Sequence, residues 1–262
     1  MKRLVLALTA AAAFAAPALA ADMAPHAYSK APVAVAPVYN WTGFYISGGA
    51  GGGLWAADQH VQTTGAAIPL TIDQRQGGSG WFGTVGLGYD WQVSPKWVFG
   101  LFGDGQFGSI KGTIQDPVAG WTGTQKLEDS WAAGLRVGWL VAPNVLSYVN
   151  AGYSGAHFAG VNFLSTFSGA PVGTHTGNYN RNGWFVGGGV ENNLDIFGIT
   201  APGWFMKTEY RSAFYNAKTS NELFDVTNLP VGRDIRYNNW NQTISTSLVY
   251  RFNWGGPVVA KY

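Results

Sequence analysis

Apolar residues alternate with small or polar residues along most of the chain. In residues 81–91, odd positions hold Trp81, Val85 and Trp91, and most even positions hold glycine, threonine or aspartate; residues 131–139 repeat the pattern. Because successive side chains of a strand point to opposite faces, each stretch predicts a strand with one apolar face. The eight predicted strands lie near residues 41–55, 80–93, 97–110, 127–141, 145–158, 182–192, 203–216 and 241–253.

The connections between these strands alternate in length. Residues 94–96 and 142–144 form short turns, whereas the intervening connections are long and polar, and residues 193–202 form an unexpectedly long third turn. The long connections are residues 56–79, 111–126, 159–181 and 217–240. Short turns at one rim and long loops at the other are typical of bacterial outer-membrane barrels. The pattern predicts an all-β fold, an eight-stranded antiparallel up-and-down transmembrane β-barrel with periplasmic turns and extracellular loops.

The spacing of tryptophans favours lipid outside the barrel. Trp81 and Trp91 share a face and are separated by roughly 25 Å along a tilted strand, which is about the height of a lipid-facing band. Indole rings favour both membrane interfaces. The predicted membrane-interface girdle comprises Trp81, Trp91, Trp97, Trp131, Trp139 and Trp204. The alternative, a soluble secreted barrel, requires this face to point inward.

Charged residues occupy the opposite face of the predicted strands. They are Asp90, Asp104, Arg136, Glu191, Lys207, Glu209, Arg211 and Arg251. Facing lipid, an arginine or lysine near the midplane costs roughly 2–4 kcal/mol, so we place this lumen charge cluster inside. Eight strands leave a bore that side chains fill, and glycines on the same face provide room. Paired structural charges are the expected role; a narrow ion path through them is the alternative.

The two ends of the chain predict segments outside the barrel. Residues 1–20 have a basic start, a 13-residue apolar run and an Ala-Leu-Ala cleavage site, which indicate a signal peptide. An uncleaved anchor is the alternative, although the run is shorter than the roughly 20 residues that span a bilayer. Residues 21–39 are rich in proline and alanine and predict a periplasmic tether. The barrel is placed at residues 40–254 and a tail at residues 255–262.

Composition excludes several classes of protein. Charged residues make up 11%, aromatics 15%, and glycine occurs 37 times, which argues against disorder and against helical bundles. Cleavage removes Lys2 and Arg3, so 14 basic residues balance 14 acidic ones and no nucleic-acid partner is indicated. The chain has no cysteine, which excludes disulfides and thiolate metal sites.

Catalytic and cofactor motifs are not found in the sequence. The glycine-rich residues 48–53 fail the dinucleotide pattern because position 54 is Leu, and neither GxSxG nor HExxH occurs. His60 and His175 lie in predicted loops, where solvation is the expected role and catalysis a weaker alternative. We therefore predict a non-enzymatic protein with no catalytic residues, no cofactor and no metal.

Residues 40–53, NWTGFYISGGAGGG, and residues 248–262, LVYRFNWGGPVVAKY, resemble one family. They are similar to the alphaproteobacterial outer-membrane β-barrel (porin-family) proteins, a group that includes haemin-binding members. The resemblance spans essentially the whole mature chain and implies an eight-stranded barrel, inserted into the outer membrane by its assembly machinery. Either Phe252 or Tyr262 provides the terminal aromatic residue of the assembly signal.

The signal peptide, the paired tryptophans and the alternating loop lengths, together with the resemblance, lead to expected partners and a function. The expected partners are outer-membrane lipid, lipopolysaccharide and the assembly machinery, with peptidoglycan or haemin as further possibilities and a monomer as the expected state. The expected function is structural or porin-like, with at most a narrow solute path. The alternative is a surface receptor, most plausibly for haemin, because histidine and tyrosine ligate haem iron. Its candidate ligands are His60, His175 and Tyr179.

Overall fold

The computed structural model describes residues 39–194, 198, 199 and 201–252, which form eleven antiparallel strands. These are β1 (Gly43–Thr63), β2 (Gln74–Gln92), β3 (Trp97–Asp116), β4 (Trp121–Ala142), β5 (Val145–Phe158), β6 (Val161–Ser165), β7 (Pro171–Thr176), β8 (Tyr179–Asn193), β9 (Trp204–Tyr215), β10 (Lys218–Phe224) and β11 (Pro230–Phe252). Over this part of the chain, no helix is long and apolar enough to cross a membrane. The predicted segments 1–20 and 255–262, and the tether up to residue 38, lie outside the described residues.

Eight of the strands close into a ring. The order is β1-β2-β3-β4-β5-β8-β9-β11, and β11 pairs with β1 along its whole length, from Phe44 opposite Phe252 to Thr63 opposite Arg233. Closure gives every ring strand two partners, which is the condition for burying backbone polar groups in an apolar surrounding. The predicted eight-stranded up-and-down barrel is confirmed.

The three remaining strands extend the barrel at the end with the long connections, called here the upper end. Strand β6 continues β5 after residues 159–160, β7 leads into β8 through residues 177–178, and β10 continues β9 after residues 216–217. The three segments pair with one another and join β4 to β11. The upper end is therefore also an eight-membered ring.

This extension shortens the four long connections that the sequence predicts. In residues 111–126, for example, β3 runs to Asp116 and β4 begins at Trp121, so only a turn remains. The alternation continues through these residues, but their outward positions are polar, as at Lys111, Thr113 and Lys126. Polar composition by itself predicts loops. A strand that lies above the apolar band of the outer surface can carry polar residues on its outer face, because only its inner face is buried.

An irregularity in β4 reverses which positions face the interior. The pairing of β4 with β5 shifts between Leu127 and Asp129, and its pairing with β3 shifts between Phe107 and Ile110 on β3. Below the shift odd-numbered residues face outward, with Trp131 45% exposed; above it odd-numbered residues face inward, with Gln125 1% exposed. A bulge inserts an extra residue and so changes side-chain parity. Leu127 lies four residues from the outward Trp131, so an unbroken strand would point both side chains outward. The bulge turns Leu127 into the interior.

The interior contains two apolar clusters. The lower cluster closes the end with the short turns and comprises Trp41, Tyr45, Val98, Leu140, Leu146, Phe205 and Val249. The upper cluster reaches from the level of Phe185 into the extension and includes Trp55, Val61, Ile114, Phe158, Val161, Phe163, Phe185, Ile235 and Tyr237. Most of the charged side chains of the interior lie between them.

Candidate functional site in the barrel interior

Two arginines and two carboxylates from four strands form a buried network near the lower end. Arg136 donates from Nε to Asp90 (2.8 Å) and from Nη1 to Glu191 (3.0 Å). Arg251 donates from Nη1 to Asp90 and from Nε to Glu191, both at 2.7 Å. The two carboxylates are fully buried and both arginines are 3% exposed. Each charge thus has two opposite charges as neighbours, which offsets the desolvation of a buried ion.

Aromatic rings enclose this network. The guanidinium of Arg136 lies 4.5 Å from the ring centre of Tyr45, and that of Arg251 lies 4.6 Å from the ring centre of Trp41. Ring faces attract cations, most strongly where water is excluded. The network and the lower apolar cluster together form a cross-linked plug between β2, β4, β8 and β11.

A second network lies higher in the lumen. Arg211 donates to both oxygens of Asp104 (2.8 and 2.6 Å) and to Glu209 (2.6 Å). The other oxygen of Glu209 accepts hydrogen bonds from the Tyr148 hydroxyl (2.8 Å) and from Asn150 (3.0 Å). Of the eight charged residues predicted for the lumen, the structure groups four in the lower network and three here, and Lys207 is buried in register with Glu191.

Little space remains between these side chains. A cavity beside Arg211, lined also by Gln106, Ser130 and Tyr215, measures about 10 Å³, room for roughly one water molecule. Glycine makes the dense packing possible: a Cβ on Gly88 would collide with the ring of Tyr45 and with the Leu101 carbonyl oxygen. The glycine-lined face of the wall is therefore filled by side chains from other strands.

A third charged group lies in the upper extension. The carboxylates of Asp116 and Glu222 are both fully buried, and Arg233 donates from Nε to Asp116 at 2.9 Å. The same nitrogen lies 3.4 Å from Glu222, whose oxygens accept no hydrogen bond among the described residues. Burial and the negative charge of Asp116 raise the pKa of Glu222 to about 8, against the smaller opposing effect of Arg233.

Sequence reasoning missed this third group. Its members lie in residues that the polar composition predicted to be loops, and the three come from β3, β10 and β11. The available signal was the continued period of two: Asp116 has the parity of the inward residues Asp104 and Ile114 of the same strand.

The six girdle tryptophans all lie on the outer surface. Trp91, Trp97, Trp139 and Trp204 are near the lower end of their strands, and Trp81 and Trp131 are near the level where the outer surface becomes polar; they are 38% to 80% exposed. Trp184 and Phe214, whose ring centres are 4.5 Å apart, join Trp81 and Trp131 in an upper row of outward aromatic residues. By contrast Trp41 and Trp55 are buried inside.

The three haemin candidates do not form one site. His60 is on β1 and its Nδ1 lies 2.8 Å from Asp73, whereas His175 is on β7 and its Nδ1 lies 2.8 Å from Asp225. Strands β10 and β11 separate β1 from β7. Tyr179 is not a loop residue: it is 7% exposed and stacks between the rings of Phe158 and Tyr237. Among the described residues, no cluster of three or more His, Cys, Asp or Glu could hold a metal ion.

Comparison with known proteins places the chain among bacterial outer-membrane proteins. No family model matches the chain. It is 27% identical to the "31 kDa outer-membrane immunogenic protein" of Brucella melitensis, over 96% of this chain and 100% of that protein, and equally to that of Brucella suis. Among solved structures, the outer membrane protein OprG from Pseudomonas aeruginosa is similar with a TM-score of 0.50 at 12% identity, covering 81% of this chain and 98% of OprG.

The likeness to OprG shows the fold, and the relatives match over their whole length. The resemblance to alphaproteobacterial outer-membrane β-barrel proteins is therefore confirmed, and the chain is an outer-membrane β-barrel protein of a Gram-negative cell.

Proposed function

We propose that the protein is a non-enzymatic structural barrel of the outer membrane whose lumen is filled by side chains and which passes no more than water or very small ions. One observation carries the proposal: the network of Asp90, Arg136, Glu191 and Arg251 joins four strands across the bore. An open porin channel needs a continuous aqueous path, whereas this section contains paired and buried charges.

Two further features support a closed lumen. The upper apolar cluster fills the extension, so a solute from outside would first meet buried residues such as Phe158 and Phe163 rather than a vestibule. At the lower end, Trp41 closes the barrel, and its indole nitrogen donates to the Pro143 carbonyl at 3.3 Å. The bore is thus blocked at three levels, by the upper apolar cluster, by the buried charge network and by Trp41. This arrangement favours a structural role over transport.

Single-channel recording of the mature chain in planar bilayers tests the proposal. We expect no conductance step of porin size from the wild type, and small steps after Arg136→Ala combined with Arg251→Ala, because two of the side chains across the bore are then missing. Large, steady steps from the wild type would overturn the closed-lumen proposal.

A further inference from the structure

The outer wall of the upper extension contains a cleft where β9 gives way to β10. Strand β9 pairs with β11 up to Trp240, and β10 pairs with it from Tyr237 upward, so residues 238 and 239 have no ladder partner on that side in the described chain. A cavity of about 290 Å³ lies at this break, and we call it the side cleft. It is lined by Asp58, His60, Asp73, Ala217, Arg236, Tyr237 and Asn238.

Four outward side chains of β1 and β11 form the floor of the side cleft. Asp58 lies opposite Asn238 and His60 lies opposite Arg236, while the intervening Tyr237 points inward. Directly opposed residues of an antiparallel pair have their Cβ atoms about 4.5–5.5 Å apart. One small molecule can therefore contact side chains from both strands.

The side cleft faces water rather than lipid. Trp240 has the outward parity of Asn238, lies one outward position below it, and pairs with Phe214 of the upper aromatic row. Such aromatic rows mark the membrane interface. The cleft begins above this row, so a dissolved molecule reaches it without entering the bilayer.

One end of the side cleft carries a negative charge that no cation balances. Asp73 Oδ1 lies 2.8 Å from His60 Nδ1, and the Asp73 side chain is 74% exposed. Histidine offsets this charge only when it is protonated. Asp58, by contrast, is already paired with Arg75, whose Nε donates to it at 3.0 Å. Asp73 is thus the carboxylate that is left for a ligand.

The other end of the side cleft carries an unpaired positive charge. Arg236 is exposed, and it makes no ion pair and no side-chain hydrogen bond with any residue that the structure describes. The register places Arg236 across from His60, and Asp73 is hydrogen-bonded to the same histidine. A cation and an anion therefore line one cavity, and neither neutralises the other.

We propose that the side cleft binds a small zwitterion, a free α-amino acid, with its carboxylate held by Arg236 and its ammonium group held by Asp73. A guanidinium donates to both oxygens of a carboxylate side by side, and an ammonium group donates to a carboxylate as a compact charge. A ligand with a single charge would pair at one end of the cleft and meet a like charge at the other, which is unfavourable. The volume is at the lower limit of ligand pockets, which suits a molecule of this size.

Saturation-transfer NMR of the mature chain, folded in micelles of an uncharged detergent, tests the ligand class. The probes are L-alanine, L-serine and L-leucine, each compared with its N-acetyl derivative, which lacks the ammonium group, and with its amide, which lacks the carboxylate. We expect saturable binding of at least one free amino acid, with both blocked forms about tenfold weaker or more. Failure of all three free amino acids to bind, or equal binding of the blocked forms, would overturn the proposal. The cleft is on the outer wall, so this result is independent of whether the lumen conducts.

Substitutions locate the binding on the outer wall. We expect Arg236→Gln and Asp73→Asn each to weaken binding about tenfold or more, while Arg236→Lys, which keeps the charge, stays within about fivefold of the wild type. The matched control is Asp225→Asn, because Asp225 lies 2.8 Å from His175 in the same arrangement but does not line the cleft. All variants are first checked for the heat-dependent gel shift of a folded barrel. Unchanged affinity in both cleft variants, or an equal loss in Asp225→Asn, would refute the site.

Discussion

At the scale of single residues, parity predicts which charges face inward but not which charges meet. Asp90, Arg136, Glu191 and Arg251 have inward parity on their own strands, so the sequence alone indicates a lumen position for each. Their pairing depends on the closure of the ring and on strand tilt, since Arg251 and Asp90 are separated by 161 positions along the chain. A period of two describes one strand at a time and does not indicate which side chains of different strands meet.

Removing one arginine from the lower network should strongly destabilise the barrel. Arg251→Met leaves Asp90 and Glu191 fully buried with one cation between them. We expect the free energy of unfolding, measured by urea titration in lipid vesicles, to fall by roughly 3–5 kcal/mol. Arg75→Met, which breaks an exposed ion pair with Asp58, is the control and should change stability little. Similar losses in both variants would contradict this account of the network.

Glu222 should make stability depend on pH. Below pH 4.5, the ordinary pKa, the carboxyl is protonated in both the folded and the unfolded chain. Between pH 4.5 and about 8 the unfolded chain loses this proton while the folded chain keeps it, so stability falls as pH rises and levels off above pH 8. Glu222→Gln removes this fall and should be more stable than the wild type at pH 9 by roughly 2–4 kcal/mol.

Urea unfolding of the wild type and of Glu222→Gln at pH 4 and pH 9 measures this effect. The two proteins should agree at pH 4 and differ at pH 9. Glu128→Gln, on the outer surface of β4, removes a carboxylate that is 40% exposed and serves as the control. A wild-type advantage at pH 9 would show that Glu222 is charged and well paired in the folded barrel.

At the scale of elements, the number of long strands could be predicted and their ends could not. Alternation identifies all eight ring strands, but it does not distinguish a polar loop from a polar strand segment above the apolar band. The shift near Leu127 and the breaks at residues 159–160, 177–178 and 216–217 depend on hydrogen bonding between strands.

Glycine on the inner face of β2 should be essential, and glycine on its outer face should not. Gly88→Val places atoms where the Tyr45 ring and the Leu101 carbonyl oxygen already lie. Overpacking of this kind costs roughly 1–3 kcal/mol, so we expect a lower yield of folded barrel. Gly83→Val is the matched control on the same strand, because a Cβ there has no neighbour closer than 3.9 Å. The heat-dependent gel shift after refolding measures both, and equal yields would reject the packing argument.

At the scale of the whole molecule, the low charge content acquires a structural reason. A soluble protein places charges outside and apolar groups inside, whereas here large apolar side chains such as Leu87, Leu135 and Val149 are more than half exposed on the outer surface. The buried arginines lie in the lumen instead. Apolar groups cover the outside and side chains fill the inside. The closed ladder of backbone hydrogen bonds holds the strands together, so the barrel needs no disulfides.

The absence of cysteine makes the orientation in the membrane directly measurable. Phe167 and Val226 are at upper turns and are each 94% exposed, while Lys96 lies in the short turn after β2. If the upper end faces outward, Phe167→Cys and Val226→Cys should react with a membrane-impermeant maleimide on intact cells. Lys96→Cys should react only after the outer membrane is permeabilised. Labelling in the reverse pattern would place the long connections in the periplasm.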